Sequence, residues 1–326
     1  MPPLASFFVK RLLGAIPVLG VVLVGSFLLL EAAPGDAVDS YVAGSGGLDA
    51  SQLAQLRQAW GLDQGPMNRF IAYISALAHG DFGWSTAFQR PVLSVIFERL
   101  PVTLLLMGIA TALAFFLGSL LGIIAGAKPG SLRDRFLSIG SLALYAVPGF
   151  WLGLVLIVIF AVDLRWLPIG GIETIASGKT GLARMADIAT HLVLPVASLA
   201  MVYLALYLRL MRDRMSEIRR DPFVTGLKAR GLSRRRIVWR HVARNAVLPV
   251  TTMLGWQAAV MLGGSVVVES VFAIPGFGRL AAEAVSRRDT PLLLGIILCS
   301  AITVIIANLL VDLAYGKLDP RVRVGR

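Results

Sequence analysis

Long apolar runs alternate with polar stretches along this chain. Six of the runs approach the ~20 residues that a helix needs to cross a bilayer core. They are roughly Phe8–Leu30, Pro101–Ala127, Phe136–Val162, His191–Met211, Val250–Phe272 and Pro291–Tyr315. Lys10 and Arg11 precede the first run as they would in a signal peptide. Leu12 to Leu30 is longer than the about 7–15 residues of a signal core, so this run reads as a retained span. The pattern predicts an all-α, polytopic membrane protein with six transmembrane helices.

The segments between the runs have patterns of their own. In Pro34–Arg99, Leu53, Leu56, Ala59 and Trp60 recur at helical spacing, as do Phe70, Ile71, Ile74 and Leu77, with Gly61 and Gly80 as stops. Two short amphipathic helices are expected there on the outer side, either as an interfacial spacer or as a docking or gating element. The chain thus divides into a first span over 1–33, an outer insertion over 34–99, and a core over 100–326 that holds five more spans. Within the spans, Gly118, Gly122 and Gly126, and again Gly149 and Gly153, keep the four-residue spacing that lets helices approach closely. Lys128–Arg135 reads as a tight inner turn, and Asp163–Thr190 as an outer loop with a turn-rich Leu167-Pro168-Ile169-Gly170-Gly171.

The inner loop 212–248 is far longer than a connector. Asp221 can cap a helix whose first position suits Pro222, and Gly231 fits the position just past its end. Ser233 can cap a second helix through Arg240 and Arg244, with Pro249 marking the return to the membrane. Phe223, Val224 and Leu227 form an apolar ridge on the first helix and require a groove to bury in. The alternative is a helix lying on the headgroups, with Arg234–Arg236 on anionic lipid.

Charge settles the orientation. With the N-terminus inside, 21 of the 31 Lys and Arg fall on the inner side, and 12 of them lie between Arg209 and Arg244. The positive-inside rule therefore favours an N-in, C-in topology. The net charge of +12 needs no nucleic acid to explain it. At 56% hydrophobic residues and a mean hydropathy of +0.76, a soluble domain is excluded.

Catalytic and metal chemistry find little support. Cys299 is the single cysteine, and His79, His191 and His241 stand at unrelated places, so no zinc spacing exists. Gly178-Lys179-Thr180 mimics the end of a P-loop, but Glu173 stands where the first Gly belongs. An intramembrane serine protease would have Ser265 in Gly263-Gly264-Ser265, but Val266 follows it and His191 has no evident pairing. An ion-coupled carrier would place ionisable residues mid-membrane, whereas Glu31, Glu269 and Asp312 all lie toward span ends. In the fifth span, Trp256, Gln257, Ser265 and Glu269 are candidates for a pathway or gate, or for helix–helix contacts.

The inner loop resembles the coupling loop of ABC importer permeases of the dipeptide/oligopeptide/nickel group. The matching positions are Ala229, Gly231, Leu232 and Ser233, then Arg240, His241, Arg244, Asn245, Ala246, Leu248 and Pro249. It departs from the group at Thr225-Gly226-Leu227. Arg11-Leu12-Leu13 with Ile16-Pro17, then Pro34-Gly35-Asp36, Gly61-Leu62-Asp63, Gly80-Asp81-Phe82-Gly83 and Arg99-Leu100-Pro101 are similar to the same group. So are Gly263–Glu269, Pro275-Gly276, Arg288-Asp289, Asn308-Leu309 and Leu318-Asp319-Pro320-Arg321. The order and spacing resemble most the B-type subunit.

The resemblance implies a type I ABC importer permease fold in a bacterial inner membrane and a peptide substrate. It implies a second permease subunit, two ATPase subunits that bind ATP and Mg, an extracytoplasmic binding protein, membrane lipid around the spans, and no cofactor in this chain. On this reading Pro222, Phe223, Val224, Leu227 and Ala229 seat in an ATPase groove. Gly231 and Leu232 make the bend. Arg230, Arg235, Arg240 and Arg244, with His241, Asn245 and Pro249, orient the loop.

Overall fold

The computed structural model describes residues 3–32, 38, 49–59 and 63–318. The Pro34-Gly35-Asp36 and Asp319-Pro320-Arg321 motifs, Trp60, and Gly61-Leu62 lie outside these residues. Helix α1 covers Pro3–Glu31, α2 Ala50–Ala59 and α3 Pro66–Ala78. A hairpin follows, β1 (Trp84–Ser85) and β2 (Arg90–Pro91), in which Trp84 faces Pro91 and Ser85 faces Arg90. Then come α4 (Val92–Ala127), α5 (Leu132–Ala146) and α6 (Gly149–Leu156), which continues as π-helical turns over Ile157–Asp163. Helix α7 covers Gly181–Ile218, α8 Pro222–Ala229 and α9 Arg234–Arg236, which continues as π-helix over Ile237–Val242. Helices α10 (Ala243–Val271), α11 (Phe277–Ser286) and α12 (Thr290–Leu318) complete the described residues.

Among the described residues, four helices are long and apolar enough to cross a membrane: Leu13–Glu31 of α1, α4, α7, and Thr290–Val311 of α12. The broken pair α5 and α6 makes a fifth if it counts as one span. Helix α10 covers the fifth expected run, but its side chains at 255–256 and 258–264 lie outside the described residues. The expected count of six is therefore not reached on the described residues.

Three expectations need correction. The third run is not one straight span: α5 and α6 meet at 98°. Pro148 has no N–H to continue the helix, and Val147 before it is extended at φ −89°, ψ 128°. Helix α7 begins at Gly181, well before the expected start at His191. Pro249 does not mark a boundary either. It lies inside α10, which runs on from the inner segment without a break.

By contact the chain forms two compact units. The first comprises Met1–Val102 and Gly276–Ile306. Its core joins Val92, Val95 and Ile96 of α4 to Phe277, Leu280 and Ala284 of α11 and to Leu292 and Ile296 of α12. A methyl group at Gly295 would sit 2.6 Å from Val92 Cγ1, so any side chain there would have to displace Val92. The α1 and α3 helices meet through Phe27 and Phe70, with ring centroids 5.0 Å apart, and through the Arg69–Glu31 ion pair. Asp289, fully buried, closes this unit. One carboxylate oxygen accepts from Ser85 Oγ at 2.5 Å and Ala87 N at 2.9 Å, and the other accepts from Leu292 N at 3.1 Å, capping α12.

The second unit comprises Thr103–Pro275 and Ala307–Arg326. Helix α7 is its axis, packed against α5, α6 and α10. The α4 glycine stripe explains how α4 reaches α7. A Cβ at Gly118, Gly122 or Gly126 would lie 2.8, 2.6 or 2.5 Å from the Cβ of Tyr207, Met211 or Met215. Backbones this close exclude any side chain. Asp187 fastens the outer loop to α7, accepting from Thr174 N at 2.6 Å and Lys179 Nζ at 2.5 Å. The lysine of the mimic P-loop is thus engaged by a carboxylate. His191 Nδ1 donates to Asp187 O at 2.8 Å.

Candidate coupling site

The inner segment is a short helix, a glycine bend and a second helix. Pro222 stands in the first turn of α8, where its fixed φ suits the helix and its missing N–H costs nothing. Asp221 occupies the cap position with extended backbone, but its side chain makes no capping hydrogen bond. The helix stops by backbone geometry. Gly231 N donates to Lys228 O at 2.9 Å and Leu232 N to Leu227 O at 3.3 Å, the paired bonds of a Schellman end. Gly231 takes φ +75°. A Cβ there would meet nothing within 4 Å, so the backbone angle rather than crowding calls for glycine. Ser233 then caps the next helix, its Oγ accepting from Arg236 N at 3.4 Å.

The ridge divides in the fold. Val224 is 2% exposed and turned into the chain, where α8 packs against Ile237–Val242. Ile237, Val238 and Val242 are buried as well, so these residues supply the small core of the segment. Leu227 is half-buried, and Phe223, at 41% exposure, stays on the surface. The expectation that Val224 reaches a partner groove is therefore corrected: Val224 is buried within the chain itself. Pro222, Phe223, Thr225, Gly226, Lys228, Ala229 and Arg230 form the exposed remainder of α8. Trp239, 46% exposed, adds a second aromatic that the sequence reading passed over.

Arg235, Arg240, Arg244 and Asn245 are exposed too, and His241 and Leu232 are half-buried. Among the described residues, Arg230, Arg235, Arg240 and Arg244 form no ion pair. Other arginines of the region bond within the chain. Arg212 grips Asp134 with two bonds, Nε to Oδ1 at 2.6 Å and Nη2 to Oδ2 at 3.1 Å, and Asp134 also accepts from Gly130 N at 2.8 Å. Arg219 Nη1 donates to Gly126 O at 2.9 Å and to Ala127 O at 2.5 Å. Arg234 Nη2 donates to Ala127 O at 3.1 Å. Burial first, and then the nearby Arg234 charge, push the Arg219 pKa below the ordinary arginine value. None of these three contacts was foreseen, because an arginine in an inner loop reads only as topology.

The fifth-run candidates are placed unevenly. Gln257, Ser265 and Glu269 are all buried within the chain. Glu269 accepts from Thr103 Oγ1 at 2.6 Å, which joins α10 to α4. The Trp256 side chain lies outside the described residues.

The inner segment carries an exposed helix with basic and aromatic side chains around it. Residues 118–324 match the family described as the binding-protein-dependent transport system inner membrane component, and residues 4–107 match its N-terminal companion. The chain is 36% identical to the di/tripeptide transport system permease DppB of Pseudomonas aeruginosa, with 98% of each chain covered. It is 32% identical to the oligopeptide transport system permease AppB of Bacillus subtilis, covering 98% of this chain and 99% of that one. With the dipeptide permease DppB of Escherichia coli K12 it shares 33%, over 98% of each. In fold it is similar to a chain of the MetNI methionine ABC transporter in an inward-facing conformation, with a TM-score of 0.55 at 14% identity, covering 70% of this chain and 97% of that chain. A family with this role implies ATPase subunits and a substrate-binding protein as partners, and leaves ATP hydrolysis to the former. The chain belongs to the binding-protein-dependent transport system inner membrane components and is a multi-pass permease subunit of an ABC importer.

Proposed function

We propose that this chain forms half of the translocation pathway of a peptide importer in the bacterial inner membrane, paired with a second, different permease subunit. An ATPase subunit docks on the exposed face of α8, with Phe223 as its apolar anchor and Arg230, Arg235, Arg240 and Arg244 meeting its carboxylates. Gly231 sets the bend that holds α8 at its angle to the following helix. Closure of the ATPases then pushes on α8 and switches the pathway between inward-open and outward-open. The outer insertion over 34–99 faces the binding protein. Gln257, Ser265 and Glu269, buried as they are, serve as polar contacts that hold α10 in the bundle.

One observation carries the reading. The short helix α8 leaves Phe223 exposed beside cations that form no ion pair among the described residues, while Val224 on its other face is buried within the chain. The peptide substrate is supported by the names of the relatives: oligopeptide, di/tripeptide and dipeptide permeases. Uptake of labelled dipeptides, tripeptides and longer peptides by a strain lacking this chain tests that part. Restored uptake on complementation, unaffected by nickel chelates or glutathione, supports a peptide route. Restored uptake of either competitor without peptide uptake contradicts it.

A further inference from the structure

We propose that Arg219 and Arg234 are positioning residues that lock the coupling helix α8 to the inner end of α4, so that the two move as one body. This role rests on the coupling reading above. Arg219 lies just before α8 and Arg234 just after it, yet both reach the same target. Arg219 spans Gly126 O and Ala127 O, and Arg234 joins it on Ala127 O.

The target is suited to cations. The last carbonyls of a helix have no partner within it, and the helix dipole places partial negative charge there. Two guanidiniums converging on one carbonyl would otherwise repel. The approach is prepared from the α4 side as well. Gly126 lets the end of α4 lie against Met215 of α7, where any Cβ would come within 2.5 Å of the Met215 Cβ. That closeness brings the α4 terminus within reach of the residue that follows α7. The turn after α4 is held in turn by Asp134, which takes Gly130 N and the fork of Arg212. A push on α8 is therefore delivered to α4 directly as well as along the chain through α7 and α10. Because α4 also carries Thr103, which donates to Glu269, the same push reaches the α4–α10 contact at the other end of the helix.

The test uses the assembled transporter, reconstituted in liposomes with its partner subunits. Spin labels on Lys128→Cys and Thr225→Cys, with Cys299→Ser, report the distance between the α4 terminus and α8. The expected result is one distance distribution, unchanged between the nucleotide-free and ATP-bound states. With Arg219→Met and Arg234→Met together the distribution should broaden or shift, and transport per ATP hydrolysed should fall roughly tenfold, the scale of a lost charge-assisted hydrogen bond. Arg219→Lys keeps a cationic donor and should retain most of the coupling, which a purely steric role of the side chain would not predict. A distance that changes with nucleotide while both arginines are present overturns the proposal, and this arm needs neither methionine variant to fold. A double variant with native transport per ATP overturns it too. If ATPase subunits remain bound in those cases, only the clamp fails. If none accompanies even the unmodified chain, the coupling reading fails and the clamp falls with it.

Discussion

The outer node around Asp289 and the inner segment around α8 treat charge in opposite ways. On the outer side the carboxylate is fully buried and each of its oxygens is taken by its own chain: Ser85, Ala87 and the first turn of α12. On the inner side Arg212, Arg219 and Arg234 are consumed internally, while Arg230, Arg235, Arg240 and Arg244 stay exposed without an ion pair among the described residues. Burying charge costs free energy unless every donor or acceptor is matched, so the outer node is closed structure. Exposed cations cost nothing and remain available. The difference lies in how much of the charge in each region the chain itself satisfies.

The contrast can be broken most severely at the outer node. Asp289→Ala removes the α12 cap and leaves the buried Ser85 Oγ and the partly buried Ala87 N without this acceptor. A loss of about 3–5 kcal/mol is expected, read as a lower thermal midpoint in detergent. A midpoint near that of the unmodified chain would mean that the node is not the closure it looks like. Next in size is Gly231→Val, which forces a β-branched residue to φ +75° at a cost of about 1–2 kcal/mol. Membrane insertion should be retained and transport-coupled ATPase activity impaired. Normal coupled transport would remove Gly231 from the coupling role.

Phe223→Ala and Trp239→Ala probe the exposed face of the inner segment. Both side chains are exposed, so the thermal midpoint of the chain should hold. Retention of ATPase subunits should weaken by about 1–2 kcal/mol each, as for aromatic anchors at an interface. Equal loss of stability would show that they serve the fold. The smallest effect is expected from Arg235→Gln with Arg240→Gln, worth about 0.2–1 kcal/mol per rim charge. Its signature is salt dependence: association of ATPase with the unmodified chain should weaken as ionic strength rises, and that slope should flatten in the double variant. An unchanged slope would take the exposed cations out of the interface.

What the sequence revealed and what it hid follow one physical line. Local signals were readable: the glycine spacing of α4, Pro222 at a helix start, Gly231 past a helix end, and Ser233 as a cap each rest on the few residues around them. Two short helices between residues 34 and 99 were readable for the same reason, and α2 and α3 stand there. Features set by distant partners were hidden. Arg219 meets carbonyls 92 and 93 positions away, Arg234 one 107 away, and Asp289 a serine 204 away. Nothing local distinguishes such an arginine from one that only marks the inner side. Val224 shows a subtler limit. An eight-residue helix with apolar residues on two sides does not say which side the rest of its chain will bury, and in the fold it is the side that holds Val224. The break in the third run was written in Val147-Pro148, but reading for apolar length alone passes over it.

The central claim is that the exposed face of α8 docks an ATPase subunit while its buried face does not. A photoreactive amino acid placed at position 223, and separately at position 224, in cells expressing the whole transporter tests it directly. The account predicts an adduct with a Walker-A ATPase from position 223 and none from position 224. Adducts from position 223 only with lipid, or equal ATPase adducts from both positions, would contradict it.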